Sequence, residues 1–242
     1  MNGGADGQLA LLSPAAPPVP DWCDLRCCGV AELLADLATK GERPCVIWSD
    51  SPWSYSAGIP GHGRMGEHYD GLSVAQIAEH HAAVYDVAGD DCYLAMWATW
   101  PFIRQALLEV AGPWEFLSGG CWAKTGQVGT GYHWRSQSEP LLLHRKGKPR
   151  PWRMAPVLRG AHIEHREWNG DVRHSEKPVE WMADCVAAWC PPGGLVLDLY
   201  AGLGSVARAV RRAGEGRRYV GAEIDPERHA GALALLAQKG AS

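Results

Sequence analysis

The sequence predicts an α/β protein built on a doubly wound, mostly parallel, Rossmann-like sheet. Two short apolar runs each empty into an acid and a turn. Val46-Ile47-Trp48-Ser49 runs into Asp50-Ser51-Pro52-Trp53, and Leu195-Val196-Leu197 runs into Asp198, with Gly202 and Gly204 close behind. Near-continuous apolar runs are the mark of strands covered on both faces, as in parallel sheets. From residue 178 onward the patterns alternate as helix 178–189, strand 195–199, helix 206–213, strand 218–224 and helix 226–238. Strands alternating with helices build βαβ units. A chain of 242 residues, 46% hydrophobic and 21% charged, is long enough for one large domain with its own core.

The elements follow in order. Residues 1–20 are rich in Gly, Ala and Pro and read as a disordered tail, which leaves 21–242 as a single domain. Helical spacing over 30–39 stops before Gly41. A strand over 44–49 is followed by a loop over 50–70 carrying Gly58, Gly61, Gly63 and Gly66; a loop that long inside a domain is usually functional or mobile. Ser73 and Gln76 form a capping-box pattern opening a helix to about Tyr85. Residues 92–99 read as a buried strand, and Pro101 as the first residue of a helix over 102–110. Strands at 119–124 and 139–144 flank a loop over 125–138. The segment 145–173 has no clear period.

The net charge of −4 gives no global nucleic-acid signature. Between His144 and Arg173, however, eight Lys/Arg face three acids, so this segment carries +5 and the rest −9. A basic segment in an acidic chain suggests a localised anionic partner, with Arg145, Lys146, Lys148 and Arg150 at its head. Twelve Trp stand against two Phe, and core filling is the expected role for most of them. Eight scattered Cys, with no secretory signal and no long apolar run, suit reduced thiols in a cytoplasm and no membrane. Cys23, Cys27 and Cys28 lack the second pair of a structural zinc site, so no metal is expected. The ten His show no catalytic pattern, and His62, His68, His80 and His81 read as surface or loop residues.

A glycine loop between strand and helix lets backbone N–H groups approach a ligand where a Cβ would clash. Nineteen residues after Gly204 comes Glu223, at the end of the next strand. An acid at that offset can take both ribose hydroxyls of an adenosine-containing cofactor. Ala207 sits where the third glycine or alanine of a dinucleotide fingerprint would come, but the unit lies at the C-terminus, so another strand end must supply chemistry. S-adenosylmethionine fits at least as well as a dinucleotide.

Asp50-Ser51-Pro52-Trp53 resembles the Asp-Pro-Pro-Trp/Tyr motif of amino-methyltransferases that act on exocyclic amines of bases. Its aromatic residue and surroundings resemble the N6-adenine branch, which includes the messenger-RNA adenine methyltransferases and their phage and bacterial relatives. Four further stretches agree: Glu67-His68-Tyr69 with Leu72 to Ile77; Met96 to Pro101; Gly129 to Arg135 with Glu139; and His174-Ser175-Glu176-Lys177-Pro178. Catalytic motif first and glycine motif last is the order of the circularly permuted class. The glycine motif itself is similar to that of bacterial DNA amino-methyltransferases.

The resemblance implies a methyl transfer from S-adenosylmethionine to adenine N6 in DNA, on a base flipped out of the duplex. Asp50, Ser51, Pro52 and Trp53 would be catalytic. The Asp50 carboxylate and a turn carbonyl would grip the amine hydrogens, and Trp53 would stack on the base. Ser175, Lys177, Pro178, Asp198, Tyr200, Gly202, Gly204, Glu223 and Asp225 would hold the cofactor. Tyr55, His68, Tyr69, Arg135 and Glu139 would meet the substrate, with the basic segment on the phosphates. Such enzymes act as monomers or homodimers. The chain departs from the motif at Ser51, where the family has proline. Serine there still supplies a carbonyl, yet it loses the ring that presets φ, and Ser-Pro-Pro-Tyr occurs in cytosine-N4 enzymes. RNA as substrate, cytosine N4 as acceptor and a binding subunit without turnover are the alternatives.

Overall fold

A computed structural model describes residues 20–54, 71–126, 133–152, 160–165 and 176–238. Its centre is an eight-stranded sheet. In chain order the elements are β1 (Cys23–Cys27), α1 (Val30–Lys40), β2 (Val46–Ser49), α2 (Val74–Val87), β3 (Cys92–Trp97), a short α3 (Ile103–Gln105), β4 (Glu115–Thr125), β5 (Ser138–Lys146), β6 (Ala161–His165), α4 (Val179–Trp189), β7 (Leu195–Asp198), α5 (Ser205–Ala213), β8 (Arg218–Glu223) and α6 (Pro226–Ala237).

The strand order is β1-β8-β7-β2-β3-β5-β4-β6. Every neighbouring pair is parallel except the two that β5 makes, with β3 and with β4. β2 and β7 lie side by side, yet the chain leaves β2 toward β3 and leaves β7 toward β8. The two windings diverge there and open a crevice at the carboxyl ends of β2 and β7. The first strand, β1, pairs with the last, β8, as a permuted order requires.

Both faces are covered. α4, α5 and α6 pack with Val46, Trp48 and Val196 on one side; α1 and α2 pack with Ile47, Leu94, Leu195 and Leu197 on the other. This is why β2 and β7 read as unbroken apolar runs. A third cluster, with Ile77, Met96, Phe102, Ala106 and Val110, underlies Trp53.

Helix signals were legible. α1 ends at Gly41, whose φ of 67° is the left-handed C-cap conformation. The Ser73–Gln76 capping box is made in both directions. The predicted helix over 102–110 is instead a 3-10 turn (Trp100–Phe102), α3 and a π-helical turn (Ala106–Val110). Two strands carry no clear pattern in the sequence. β1 is a five-residue edge strand whose Asp24 and Arg26 mask the buried Cys23 and Leu25. β6 runs along the other edge, inside the supposedly patternless basic segment. The expected tail over 1–19 lies outside the described residues, as does most of the 50–70 loop. Among the described residues no helix is long and apolar enough to cross a membrane.

Candidate active site

The parallel strands all point their carboxyl ends to one edge, so sequence-distant residues converge there. β2 delivers Asp50, β7 delivers Asp198, β8 delivers Glu223, β3 delivers Trp97 and β4 delivers Lys124. β5 runs backward and brings its start, Glu139, to the same edge, paired in register with Trp122.

On the cofactor side, Asp198 is buried. It accepts from the Tyr219 hydroxyl at 3.1 Å and from the Tyr200 amide at 3.3 Å. Burial, with further pressure from the Asp50 and Glu223 charges, pushes its carboxyl up to about 7. Glu223 accepts from the Gly202 amide at 2.7 Å and from the Asp225 amide at 2.9 Å. Gly202 has φ 53° and Gly204 φ 77°. A Cβ on Gly202 would meet nothing within 4 Å, whereas one on Gly204 would press on Ala232 at 3.3 Å. Gly202 therefore keeps open a cradle beside two acids, and Gly204 allows the loop to sit on α6. The Asp225 carboxylate is taken up elsewhere, accepting from the amides of Glu227 and Arg228 as the N-cap of α6.

On the acceptor side, the chain turns sharply after Asp50. The Trp53 amide donates to Ser51 O at 2.9 Å, and the Leu72 amide donates to Pro52 O at 2.7 Å. The loop thus returns at Leu72 and pins the turn. Gly71 must lack a Cβ, which would stand 2.5 Å from Ser54 Cα. Asp50 is 43% exposed and faces the crevice, with Lys177 Nζ 2.8 Å from its Oδ2. The same ammonium lies 3.2 Å from Glu139 Oε2, and Lys124 pairs with the other Glu139 oxygen. Lys177 is also 5.6 Å from the centre of the Trp97 ring. Burial alone would raise the Glu139 carboxyl, but the two ammonium groups hold it down to about 2. Burial opposes the Lys177 charge too, and Asp50 and Glu139 more than reverse it, raising the Lys177 pKa.

The predicted residues divide into several groups. Asp50, Lys177, Glu139, Asp198, Gly202 and Glu223 come together. Pro178 caps α4 beside Lys177. Tyr200 follows Asp198, and its hydroxyl lies 2.8 Å from His80 Nδ1. Trp53 is only 5% exposed and stacks on Phe102, ring centres 5.0 Å apart, so its face is already occupied by protein. Arg135 is exposed, and Glu139 is paired with lysines instead. Tyr55, His68, Tyr69, Ser175, the motif over Gly129 to Gly131 and His174 lie outside the described residues.

The head of the basic segment lies away from this edge. Register places Arg145 opposite Tyr93 and Lys146 opposite Cys92, at the start of β3 and so at the far edge of the sheet from Asp50. Arg145 pairs there with Glu115. Lys146 donates to the carbonyls of Tyr85 and Ala88 at the end of α2. The Lys148 amide donates to Asp91 at the same edge, with Arg150 following. Arg153, Arg159, Arg166 and Arg173, the rest of the segment's positive charge, lie outside the described residues.

The structure adds Lys124, Trp97, Ser49, His80 and His81 to the site, and it buries His81, against the expectation of a surface or loop residue. His81 is fully buried, and a signal existed for it. Ile77, His81 and Val84 are spaced along the apolar face of α2. Burial holds His81 at about 4, against the opposing effect of its hydrogen bond to Val110, so it is neutral at ordinary pH.

The family model described as DNA methylase (N6_N4_Mtase) matches residues 69–234, well over half of the chain. The chain belongs to this N6/N4 DNA methylase family. No curated protein matches it in sequence. Solved structures share its fold: M1.HpyAVI at 16% identity, with a TM-score of 0.65 over 88% of this chain and 98% of that one; TTHA0409 from Thermus thermophilus, named as a DNA modification methylase, at 17% identity and a TM-score of 0.62 over 90% and 96%; and the cytosine-N4-specific PvuII DNA methyltransferase at 11% identity and a TM-score of 0.63 over 91% and 87%. Both M1.HpyAVI and TTHA0409 have been solved with S-adenosylmethionine. The chain is a methyltransferase that uses S-adenosylmethionine, and the glycine cradle with Asp198 and Glu223 fits that cofactor.

Proposed function

We propose that this methyltransferase acts on the exocyclic amine of adenine in DNA, with the base flipped into the crevice between the β2 and β7 ends. The observation that carries this reading is the adjacency of Asp50 and Asp198 on neighbouring strands, which sets an amine acceptor beside the methyl-donor pocket. Adenine is favoured by the resemblance of Asp50 to Trp53, and of the stretches that follow it, to the N6-adenine branch.

When bound, S-adenosylmethionine supplies an electrophilic methyl group. An adenine amine is a weak nucleophile because its lone pair is spread into the ring. Asp50 and a turn carbonyl can accept its two hydrogens and draw the nitrogen toward a pyramidal geometry, which localises the lone pair for attack. Ser51 O and Pro52 O each accept one backbone N–H already, and each retains a second lone pair for this. Positive charge grows on the nitrogen as the bond forms, and the fixed Asp50 carboxylate stabilises it. Lys177 holds that carboxylate from the side, and Glu139 and Lys124 hold Lys177. Tyr200, Lys177 and Pro178 would hold the cofactor between the halves, and Glu223 would take its ribose hydroxyls.

Cytosine N4 is the second reading. It is favoured by Ser51 before Pro52 and by the likeness to the PvuII enzyme. The test is incubation with labelled S-adenosylmethionine and mixed-sequence DNA, followed by nucleoside mass spectrometry. N6-methyladenine is the expected product. N4-methylcytosine would move the reading to the second base, and cofactor binding with no methylated nucleoside in DNA or RNA would sink both.

A further inference from the structure

Beneath the Asp50 turn lies a chain of polar groups that the methyl-transfer chemistry leaves unused. Ser49, Ser51 and His81 are all buried. Ser49 Oγ is 3.0 Å from Ser51 Oγ and 2.8 Å from His81 Nε2, and His81 Nδ1 is 2.8 Å from Val110 O. A carbonyl only accepts, so His81 carries its proton on Nδ1 and presents Nε2 as an acceptor. Ser49 must then donate to Nε2, which leaves its oxygen to accept from the Ser51 hydroxyl. Each group's role is set by the next, and the direction runs from Ser51 through Ser49 and His81 to Val110.

The relay has a second arm. The phenol of Tyr200, two residues past Asp198, lies 2.8 Å from His80 Nδ1. His80 and His81 are consecutive on α2, so one helix reaches both strand ends. α2 is itself anchored by its capping box at one end and by the Trp114 indole, which donates to His81 O at 2.9 Å.

We infer that Ser51, Ser49 and His81 form a positioning relay that fixes the Asp50 turn in place of the proline ring this motif otherwise carries, and that His80 and Tyr200 tie α2 to the cofactor strand. The inference rests on Asp50 being the amine acceptor. A proline at position 51 would hold its own φ without help. Serine leaves φ free and supplies a hydroxyl, and that hydroxyl is useful only because a buried, neutral histidine lies at the end of the chain to accept. A charged imidazole would donate from both nitrogens and turn Ser49 around, so the burial of His81 among apolar residues is what keeps the direction. The other ionisable groups near it are His80 on the same helix and His144 on β5.

The experiment compares wild type, Ser49→Ala and the double variant Ser49→Ala/Ser51→Pro. Ser49→Ala removes the central link at little cost in volume. Its kcat should fall about 10- to 100-fold, the scale of loss when a reacting group is slightly misplaced, while the S-adenosylmethionine dissociation constant stays within a few-fold. The double variant should recover most of that kcat, since the ring replaces the relay. Unchanged kcat in Ser49→Ala, or loss of kcat and cofactor affinity in equal measure, would overturn the proposal. Nitrogen-15 NMR of the imidazoles supplies a readout independent of turnover. His81 should appear as the neutral Nδ1–H tautomer, and its Nε2 resonance should shift in Ser49→Ala and in Ser51→Ala. If wild type methylates nothing, the functional reading fails while the NMR result still decides the relay. An Nε2–H tautomer, or a resonance indifferent to both serines, overturns it.

Discussion

The two halves of the crevice are built from different materials. The cofactor half is mostly backbone: glycines in left-handed conformations, amide N–H groups, and acids whose oxygens accept from those amides and, for Asp198, from the Tyr219 hydroxyl. The acceptor half is mostly side chain. Asp50 is held by Lys177, which is held by Glu139, which is held by Lys124, while serines and a histidine brace the turn from below. A backbone site depends on local conformation and tolerates changes in its neighbours. A side-chain lattice depends on partners from β2, β4, β5 and the approach to α4, and fails when any one leaves.

The largest effect is expected from Asp50→Ala. Removing the group that stabilises developing charge should cost about 100-fold or more in kcat and leave S-adenosylmethionine affinity within a few-fold by calorimetry. Equal loss of both would make Asp50 a structural residue and erase the division between the halves.

Lys177→Met should come next, because it strips two carboxylates of a buried partner. Such losses cost about 3 kcal/mol, here tempered because Asp50 is half exposed and Glu139 retains Lys124. Urea denaturation measures it, and kcat should fall together with stability. A variant as stable as wild type would show that the ion-pair lattice is not what holds the acceptor side.

On the cofactor half, Gly202→Ala puts a Cβ on a residue at φ 53°, which costs about 1–2 kcal/mol, and fills the cradle. The KM for S-adenosylmethionine should rise while kcat at saturation changes little. A fall in kcat alone would mean that the loop also shapes the acceptor.

The acid Asp198 predicts a pH effect of smaller size. Its carboxyl is raised from 3.8 to about 7 by burial. Between those values the folded chain keeps a proton that the unfolded chain has lost, so this group lowers stability as pH rises through the window. His81 and His144, held by burial at about 4 against 6.5, act oppositely, and their contribution is lost as pH falls from 6.5 toward 4. Asp198→Asn should therefore melt higher than wild type at pH 8 without cofactor, yet bind S-adenosylmethionine more weakly. No gain in melting temperature would show that the buried carboxylate is not a cost.

The smallest effect belongs to the far edge of the sheet. Replacing Arg145, Lys148 or Arg150 with alanine should leave the salt dependence of DNA binding unchanged. A phosphate contact would lower the slope of log affinity against log salt by about 0.9 per residue, and a drop of that size would return these residues to the interface.

Much of this protein was legible in the chain itself. Apolar runs ending in acids located β2, β7 and β8, because strands buried on both faces have no polar alternation to confuse. Asp50, Asp198, Gly202 and Glu223 stood out because strand ends and left-handed turns demand particular residue types locally. The edge strands β1 and β6 stayed hidden, since half-exposed strands mix charges with apolar residues and short ones leave too few positions to show a period.

What tertiary structure alone decided is who faces whom. Nothing in the order of residues says that Lys177 reaches both Asp50 and Glu139, that β5 runs backward and so carries Arg145 and Lys146 away from the crevice, or that Trp53 lies against Phe102. Nor does Ser51 announce that a helix well downstream supplies His81 to brace it. The sequence by itself determined the strand ends and the glycine turns, because those are local conformational demands on single residues. The lattice that makes them a site was decided by packing, because long-range pairs are chosen by sheet order and register, which no single stretch of chain contains.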